Sequence, residues 1–411
     1  MELLTVDKVE EAREKLAKAA EGLKLKTEAV HVSQSIGRVL AKDVVAMEPV
    51  PAFAKSTVDG YAVIAQNTQG VTESIPVFLE VIEEVEIGTA PKKTVAPGQC
   101  IYVPTGGMLP EGADAMVMVE FCEAFDEKNI AVYDGVSPGR NVIQAGEDVK
   151  KDQCFLKKGT LIRPQEVGVL AATGYEQVEV FSPMHVTIVS TGDELVPVEA
   201  APAPGQIRDI NTYAIEAMCK KYGFFVQRKF VLKDEEPLLT KTVAEAMNTS
   251  DLVVVSGGSS QGKKDITAKV LDKLARPGVF THGIALKPGK PTILGYDEDS
   301  QTVLMGLPGH PVAAMIVFEF FAVWLLREKT GQAPPKEIVA KITENVAGGN
   351  GRASCLMVAL TEEVQGSGYT AKPVLGKSGL ITTLTGACGY TFIETNKEGI
   401  RAEETIRVTL L

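Results

Sequence analysis

The sequence predicts a multidomain chain in which an α/β domain with a parallel sheet lies between β-rich segments. Two observations lead to this fold class. From residue 185 onward, short apolar and β-branched runs alternate with helical patterns, which is typical of a parallel sheet covered by helices. At about 49–146, and again after residue 335, short strand-like runs are separated by Pro and Gly turns, which indicates β domains.

Length and composition are those of an ordinary globular protein. The 411 residues are 45% apolar and 23% charged, and a chain of this length holds roughly two to four domains. The net charge of −11 argues against a protein that binds nucleic acid through phosphates. The longest apolar stretch, residues 311–326, is too short to span a bilayer and contains Glu319. We therefore expect neither nucleic acid nor a membrane as a partner.

Cysteine and histidine usage points to the cytoplasm. The six cysteines are widely spaced and the four histidines are scattered, so neither forms a zinc pattern or a disulfide framework. Reduced thiols of this kind are typical of cytoplasmic proteins. The first fifteen residues also lack the basic segment and apolar core of a secretory signal.

The N-terminal half predicts a helix, a β-rich region and a connecting segment. Residues 6–20 place apolar side chains on one helical face, behind Thr5 as a candidate N-cap. In the β-rich region we expect strands at 77–82, 100–103 and 115–119. Residues 147–180 are predicted to form a connector with a helical piece around 164–173.

The α/β region follows in regular order. Strands are predicted at 186–189, 224–231, 252–255, 292–294 and 303–307. Helices are predicted at 212–222 and 237–247, and from about 265 and 311. Ligands of such sheets bind at the carboxyl ends of the strands, so the loops that follow the strands are the candidate site.

The loop Ser256-Gly257-Gly258-Ser259-Ser260 follows the third of these strands. A strand that leads through glycines into a helix gathers free backbone N–H groups and the positive end of a helix dipole, where phosphate or another oxyanion can bind. The loop is neither GxxxxGK[ST] nor GxGxxG, so it indicates neither a P-loop NTPase nor a dinucleotide fold. By itself it fits an anion loop and a plain tight turn equally well.

Polar side chains cluster at the same strand ends. Carboxylates and an amide follow the strands or precede the helices there: Asp193, Glu194, Asp209, Asn211, Asp234 and Asp265. Two turns oppose them, the first presenting Lys287 and Lys290 and the second leading through His310 to Pro311 at the start of a helix. Carboxylates beside lysines suit a phosphorylated ligand together with Mg²⁺.

Most of these residues also have a local structural explanation. Asp193 or Glu194 fits a helix N-cap, and Asp59 followed by Gly60 fits a hairpin turn. The two lysines fit solvated surface positions, and His310 fits a turn or a cap. Only the joint placement of the residues at the carboxyl edge of the sheet, which we call the rim, favours a ligand-binding site.

An ordered set of short motifs runs along nearly the whole chain. In order, they are Gly37-Arg38-Val39-Leu40-Ala41, Asp59-Gly60-Tyr61-Ala62, Thr105-Gly106, Gly146-Glu147-Asp148, Ser190-Thr191-Gly192-Asp193-Glu194-Leu195, Ser256-Gly257-Gly258-Ser259, Lys287-Pro288-Gly289-Lys290-Pro291, Leu307-Pro308-Gly309 and Ser378-Gly379. In this order the motifs resemble those of the MoeA-type molybdopterin molybdenumtransferases, a family that also includes a domain of gephyrin.

The resemblance implies an elongated homodimer with four domains per chain. These are an N-terminal connector in two segments (1–48 and 147–182), a β-rich lid (49–146), an α/β molybdopterin-binding domain (183–330) and a C-terminal β barrel (331–411). The implied reaction inserts molybdate into adenylyl-molybdopterin with Mg²⁺, releases AMP and forms molybdenum cofactor. The implied protein partners are the adenylyltransferase and the molybdoenzymes that accept the cofactor.

The resemblance also implies roles for individual residues. The implied catalytic residues are Asp59, Thr105, Asp148 and Glu194, of which the first three are expected to come from the lid of the partner subunit. The implied substrate-binding residues are Asp193, Asp209, Asn211, Asp234, Ser256, Gly257, Gly258, Ser259, Asp265, Lys287, Lys290, Pro308, Gly309 and Pro311. The implied ligands of Mg²⁺ are Glu194, Asp234 and Asp265.

Several positions depart from the usual residues of the family. His310 replaces Asn, Ile143 replaces Arg and Ile210 replaces Ser, while Lys263 and Lys264 add charge after the glycine loop. Three alternative functions stay open: insertion of tungstate, molybdopterin adenylyltransferase activity, and a non-catalytic scaffold. The lid and barrel argue against an adenylyltransferase, and the retained acids argue against a scaffold.

Overall fold

The computed structural model describes residues 6–257, 266–349, 351–363 and 368–411. The chain exposes 21855 Å² of surface. A compact protein of this length would expose only about 15,000 Å². The excess surface agrees with an elongated chain of several lobes.

The N-terminal segment contributes one helix and two short strands. These are α1 (Val9–Ala19), β1 (Thr27–His31) and β2 (Val44–Val45). The N-cap of α1 is Lys8 rather than Thr5, because the Glu11 carboxylate folds back to accept a hydrogen bond from the Lys8 backbone N–H at 3.0 Å. Thr5 itself lies outside the described residues. The predicted apolar face is buried at Val9, Ala12 and Leu16.

The β-rich region contains eight strands, six of which form one curled sheet. Its strands are β3 (Lys55–Ser56), β4 (Gly60–Val63), β5 (Val77–Glu84), β6 (Gln99–Val103), β7 (Ala115–Met118), β8 (Cys122–Ala124), β9 (Asn129–Val132) and β10 (Val142–Ile143). The sheet order is β7-β4-β6-β5-β9-β8, and β3 pairs with β10. The hairpin-turn explanation of Asp59 and Gly60 is wrong, because Gly60 opens β4 inside the sheet and a Cβ there would overlap the Val117 carbonyl.

The segment after this sheet returns to the N-terminal strands. It contains β11 (Cys154–Leu156), α2 (Pro164–Ala172) and β12 (Gln177–Phe181). Strand β11 pairs with β2 and β12 pairs with β1, both antiparallel. A small core that includes Leu40, Ile162 and Leu170 lies between them. The two segments that flank the six-stranded sheet of the β-rich region are therefore joined by strand pairing and a shared core.

The α/β region holds the largest set of elements. Its strands are β13 (His185–Thr191), β14 (Leu195–Val196), β15 (Ile207–Arg208), β16 (Phe225–Leu232), β17 (Leu252–Ser256), β18 (Pro277–His282), β19 (Leu286–Lys287), β20 (Ile293–Asp297) and β21 (Thr302–Leu307). Its helices are α3 (Asn211–Tyr222), α4 (Glu236–Met247), α5 (Ile266–Leu274), α6 (Pro311–Phe318) and α7 (Trp324–Thr330). A π-helical turn at Glu319–Val323 joins α6 to α7.

The main sheet of this region is parallel where the predicted site lies. Its order is β16-β13-β17-β21-β20-β18, and the first four strands are parallel. Strand β20 runs antiparallel to β21, because the short turn at 298–301 joins the two directly without a crossover helix, and β18 pairs antiparallel with β20 in turn. Strand β18 is an element that the sequence did not predict. The carboxyl ends of the four parallel strands lie at the same edge of the sheet, as expected.

The C-terminal region forms the predicted barrel. Its strands are β22 (Glu337–Ile342), β23 (Val346–Ala347), β24 (Ala353–Glu362), β25 (Tyr369–Pro373), β26 (Gly389–Ile393), β27 (Gly399–Ile400) and β28 (Thr405–Leu410). Five of them follow the order β24-β25-β22-β28-β26, and β26 pairs back to β24 to close the barrel. Its interior includes the fully buried side chains of Ile342, Val358 and Val408.

Two further sequence expectations concern the whole chain. All six cysteines are free thiols, as predicted. Across the described ranges, no helix combines the length and apolar character that crossing a bilayer requires.

Candidate functional site

A cleft of about 960 Å³ lies between the carboxyl edge of the α/β sheet and the barrel. Its α/β wall includes Thr191, Glu194, Asp234, Gly257, Lys287, Lys290, Pro308, Gly309 and His310. Its barrel wall includes Arg352, Ser354, Cys355, Met357, Lys377 and Ser378. One cavity, with the barrel as its second wall, therefore brings together seven of the predicted site residues: Glu194, Asp234, Gly257, Lys287, Lys290, Pro308 and Gly309.

The carboxylates of the rim are held by groups at the strand ends. The Thr191 hydroxyl donates a hydrogen bond to the Asp234 carboxylate, and the Asp234 backbone N–H donates to Asp193 Oδ1 at 3.3 Å. Glu194 is exposed to the cleft. Neither Asp193 nor Glu194 caps a helix, because the short strand β14 follows them. The N-cap explanation of these two acids is therefore wrong.

A buried polar network supports the rim from below. Asn211 Nδ2 donates hydrogen bonds to Ser256 Oγ at 2.7 Å and to the Gly309 carbonyl at 2.9 Å. Asp209 Oδ1 accepts hydrogen bonds from the Thr212 N–H and from a serine hydroxyl, each at 3.2 Å. Asp209 and Asn211 are buried and do not line the cleft. Within the part of the chain that the structure describes, each keeps one buried oxygen without a hydrogen-bond partner.

The turn that carries Lys287 and Lys290 is stabilised by its own hydrogen bonds and by a strand pairing with the barrel. The Ile284 N–H donates to the Lys290 carbonyl at 3.0 Å, and the Thr292 hydroxyl donates to the Gly289 carbonyl at 2.6 Å. Strand β19, which opens the turn, pairs with β24 of the barrel, so Lys287 lies opposite Ser354. Both lysine side chains line the cleft, and that of Lys290 is half-buried.

Among the described residues, four cationic side chains line the cleft without an ion-pair partner, and we call them the unpaired cations: Lys287, Lys290, Arg352 and Lys377. Within the described part of the chain, none of the four side chains makes a salt bridge or a hydrogen bond. The chain as a whole carries a net charge of −11. Cations gathered in a cleft and left unneutralised attract anions there.

The barrel also contributes an uncharged group. Cys355 lies in the wall of the cleft, and burial raises the pKa of its thiol well above the ordinary value of 9.0. A buried thiol of this kind stays protonated at neutral pH and is unreactive. We therefore assign Cys355 to the apolar wall and not to the chemistry.

Sequence reasoning missed the cationic part of the barrel wall. Arg352 precedes β24 and Lys377 lies in the turn that follows β25, and no periodic pattern marks either residue. The one available signal is the motif Ser378-Gly379, which directly follows Lys377.

The predicted lid residues do not line the cleft of the same chain. The Thr105 backbone N–H donates to Asp59 Oδ1 at 2.8 Å, so these two residues form one local unit. Asp148 lies where the chain leaves the lid, and its backbone N–H donates to the Val50 carbonyl at 3.1 Å. All three side chains are exposed. Their action in the cleft of a partner subunit stays a prediction.

Several predicted positions lie outside the described residues or beside the cleft. Gly258, Ser259, Lys263, Lys264 and Asp265 lie outside the described residues. Pro311 is buried at the first position of α6 and supports the preceding turn without lining the cleft. Among the described residues, no group of three or more His, Cys, Asp or Glu side chains is arranged to hold a metal ion.

Comparison with known families covers nearly the whole chain. Residues 7–174 match the family described as "MoeA N-terminal region (domain I and II)". Residues 187–328 match "Probable molybdopterin binding domain", and residues 339–411 match "MoeA C-terminal region (domain IV)". The chain belongs to the MoeA family. Its N-terminal, central and C-terminal parts follow in the order of the family.

Individual MoeA relatives agree over the full length. The chain is 32% identical to the molybdopterin molybdenumtransferase of Bacillus subtilis, over 94% of this chain and 90% of that protein. It is 29% identical to the enzyme of the same name from Staphylococcus aureus, over 93% and 90% of the two chains. The crystal structure of the molybdopterin biosynthesis MoeA protein from Pyrococcus horikoshii superposes with a TM-score of 0.84 at 30% identity, covering 99% of this chain and all of that one.

Proposed function

We propose that the protein is a molybdopterin molybdenumtransferase. In the proposed reaction, molybdate is inserted into adenylyl-molybdopterin, AMP is released and molybdenum cofactor is formed. The relatives from Bacillus subtilis and Staphylococcus aureus carry this enzyme name, and both match the chain almost end to end. The observation that carries the proposal is the cleft, whose four cations have no ion-pair partner in the described part of the chain.

The charge of the cleft suits both proposed substrates. Molybdate is a dianion, and adenylyl-molybdopterin carries a pyrophosphate, so binding either one places negative charge beside the unpaired cations. Two opposite unit charges at 4 Å attract by about 4 kcal/mol at the effective dielectric of a protein surface. Lys287 and Lys290 approach from the α/β side and Arg352 and Lys377 from the barrel side. We therefore place the pyrophosphate and the oxyanion between these two walls.

Mg²⁺ belongs to the proposal as a cofactor. Glu194 and Asp234 line the cleft and provide the hard oxygen donors that Mg²⁺ prefers, and Asp265 is the third proposed ligand. Because Mg²⁺ usually keeps several waters and shares the substrate phosphates, one or two protein carboxylates suffice. When bound, it would neutralise charge on the pyrophosphate. Thr191, which donates to Asp234, orients that carboxylate.

The lid residues are proposed to act across a homodimer. Asp59, Thr105 and Asp148 are exposed and absent from the cleft of their own chain, which supports their placement in the cleft of the partner. The Thr105 N–H engages one oxygen of Asp59 and leaves the other oxygen open to solvent or substrate. Closure of the lid over the cleft would exclude water from the phosphoanhydride, so that AMP leaves only when molybdate is present.

The remaining parts of the proposal concern the cellular setting. We place the reaction in the cytoplasm. Adenylyl-molybdopterin must be supplied by an adenylyltransferase, and molybdenum cofactor must be delivered to acceptor molybdoenzymes. Transient contacts with both classes of protein follow from the chemistry of the substrate and the product.

The decisive experiment incubates the purified protein with adenylyl-molybdopterin, Mg²⁺ and micromolar molybdate, and measures AMP and cofactor. We expect AMP release that requires both the oxyanion and Mg²⁺. A parallel reaction with tungstate tests the choice of oxyanion, and one with molybdopterin and ATP tests adenylyltransferase activity. Formation of adenylyl-molybdopterin in the latter reaction, or no AMP release under any condition, would contradict the proposal.

A further inference from the structure

Among the described residues, two groups of hydrogen bonds join the barrel to the α/β rim. The first is the pairing of β19 with β24, reinforced by the Ala353 N–H, which donates to the Ala285 carbonyl at 3.0 Å. The second lies at Ser378, whose carbonyl accepts a hydrogen bond from the Val312 N–H at 3.3 Å. Of the two, only the second also uses side chains.

The side-chain contact joins His310 to Ser378. His310 Nδ1 lies 2.9 Å from Ser378 Oγ, and both residues line the cleft. His310 is the residue that precedes α6, so its position is set by a helix of the α/β domain. Ser378 belongs to the barrel. The contact therefore spans the two walls of the cleft.

The turn that contains Ser378 also carries Lys377, one of the four unpaired cations. The turn is packed tightly, because a Cβ at Gly376 would lie 2.5 Å from Thr383 Oγ1. On its other side, a Cβ at Gly379 would lie 3.8 Å from His310 Cδ2. Lys377 itself is exposed and has no side-chain partner within the described residues. The position of Lys377 in the wall of the cleft thus depends on the two residues that pack against its turn, Thr383 and His310.

We infer that His310 is a positioning residue: through Ser378, it holds Lys377 against the α/β rim, where Lys377 shares the anionic substrate with Lys287 and Lys290. This inference rests on the proposed function. It concerns binding of the substrate and not the chemical step, because a cation that contacts the anion throughout the reaction stabilises the bound substrate and the transition state alike.

The chemistry of the contact defines a sharp pair of variants. The side-chain amide of Asn places its polar atoms at the same number of bonds from Cβ as Nδ1 of His, whereas Gln places them one bond further, as Nε2 does. Because the contact with Ser378 uses Nδ1, Asn should preserve it and Gln should not. Asn is also the residue that the family resemblance implies at this position.

The experiment follows molybdate-dependent AMP release in His310→Asn and His310→Gln. It measures kcat, and it measures KM for the anionic substrates. We expect the Gln variant to raise KM by about 3- to 10-fold with little change in kcat, and the Asn variant to match the unaltered protein. His31→Gln is the matched control, because His31 Nδ1 makes a similar contact with Ser33 Oγ at 2.8 Å on the connector, away from the cleft. It should leave both constants unchanged.

A second comparison tests whether His310 acts through Lys377. In a Lys377→Ala background, His310→Gln should raise KM no further, since the group that it positions is gone. An equal effect of His310→Gln in both backgrounds, or a KM unchanged by His310→Gln in an otherwise active enzyme, would overturn the inference while leaving the proposed function intact. Absence of AMP release in the unaltered protein would instead contradict the proposed function.

Discussion

Asn211 Nδ2 lies 2.7 Å from Ser256 Oγ and donates a hydrogen bond to it. The bond ties the first residue of α3 to the last residue of β17, and a second bond from the same amide reaches the Gly309 carbonyl. Three loops at the carboxyl edge of the sheet are thereby held by one buried side chain. A residue that does not touch the cleft thus determines the arrangement of those that do.

Asn211→Ala should destabilise the α/β domain. The substitution leaves the Ser256 hydroxyl and the Gly309 carbonyl without a buried partner, which costs about 1–3 kcal/mol. Urea unfolding followed by near-UV circular dichroism measures the loss. The control is Asn248→Ala, because Asn248 donates its amide to a helix carbonyl at an exposed site. Equal stability of the two variants would show that the hydrogen bonds of Asn211 do not contribute to the free energy of unfolding.

The proposed sharing of the active site between subunits can be tested by mixing inactive variants. Asp59→Ala should remove the lid function and Glu194→Ala the rim function, each lowering AMP release by at least about 100-fold without unfolding the protein. A heterodimer of the two variants contains one cleft in which both residues are intact. Random re-association should therefore restore roughly a quarter of the unaltered activity.

The same mixture separates the two possible arrangements of the lid. If Asp59 served the cleft of its own chain, every cleft in the mixture would lack one of the two groups and activity would stay absent. Size-exclusion chromatography with light scattering measures the state of association before and after mixing. A monomeric but fully active protein would contradict the shared site.

The unpaired cations predict a strong dependence on salt. Lys290→Ala should raise KM for the anionic substrates by about tenfold at low ionic strength, and the difference should shrink as salt screens the cleft. The matched control is Lys241→Ala, since Lys241 lies on the exposed surface of α4 at 4.0 Å from Glu245. Steady-state kinetics at two salt concentrations checks both variants. A salt-independent KM in the unaltered protein would contradict electrostatic capture.

Acid should weaken the connector at α2. Two hydrogen bonds from the Arg163 guanidinium lower the pKa of the buried Glu166 carboxyl below its ordinary value of 4.5. A depressed pKa in the folded state contributes stability above pH 4.5 that is lost as pH falls through the lower, folded-state pKa. Glu166→Gln should therefore unfold more readily than the unaltered protein at pH 7, by about 1 kcal/mol, and differ less at pH 3. Thermal unfolding at both pH values measures the difference.

The rim of the site could be predicted because it follows from chain order. Once 186–189, 224–231 and 252–255 are recognised as strands separated by helices, a parallel arrangement brings their carboxyl ends together. Glu194, Asp234 and Gly257 were expected at that edge for this reason, and the structure places all three in one cleft. The two β domains were likewise predicted from their turns, and the family resemblance implied that they are a lid and a barrel.

Some local explanations gave way to contacts between distant segments. Asp59 fits a hairpin turn when only its neighbours are considered, but the following strand pairs with β6 and β7, which lie much further along the chain. Strand β20 joins the sheet antiparallel, since a short turn and not a helix leads to β21. In the first case the deciding partners are distant in sequence, whereas in the second the partner is the next strand and the length of the turn decides.

By itself, the sequence determined the class of each domain, the edge of the sheet that lines the cleft and the family, because alternating burial and the order of motifs are local properties of the chain. Only the tertiary structure decided that the barrel closes the cleft and that Arg352 and Lys377 face Lys287 and Lys290. The physical reason is that packing between domains rests on a few contacts, such as His310 with Ser378, which leave no periodic pattern in either segment.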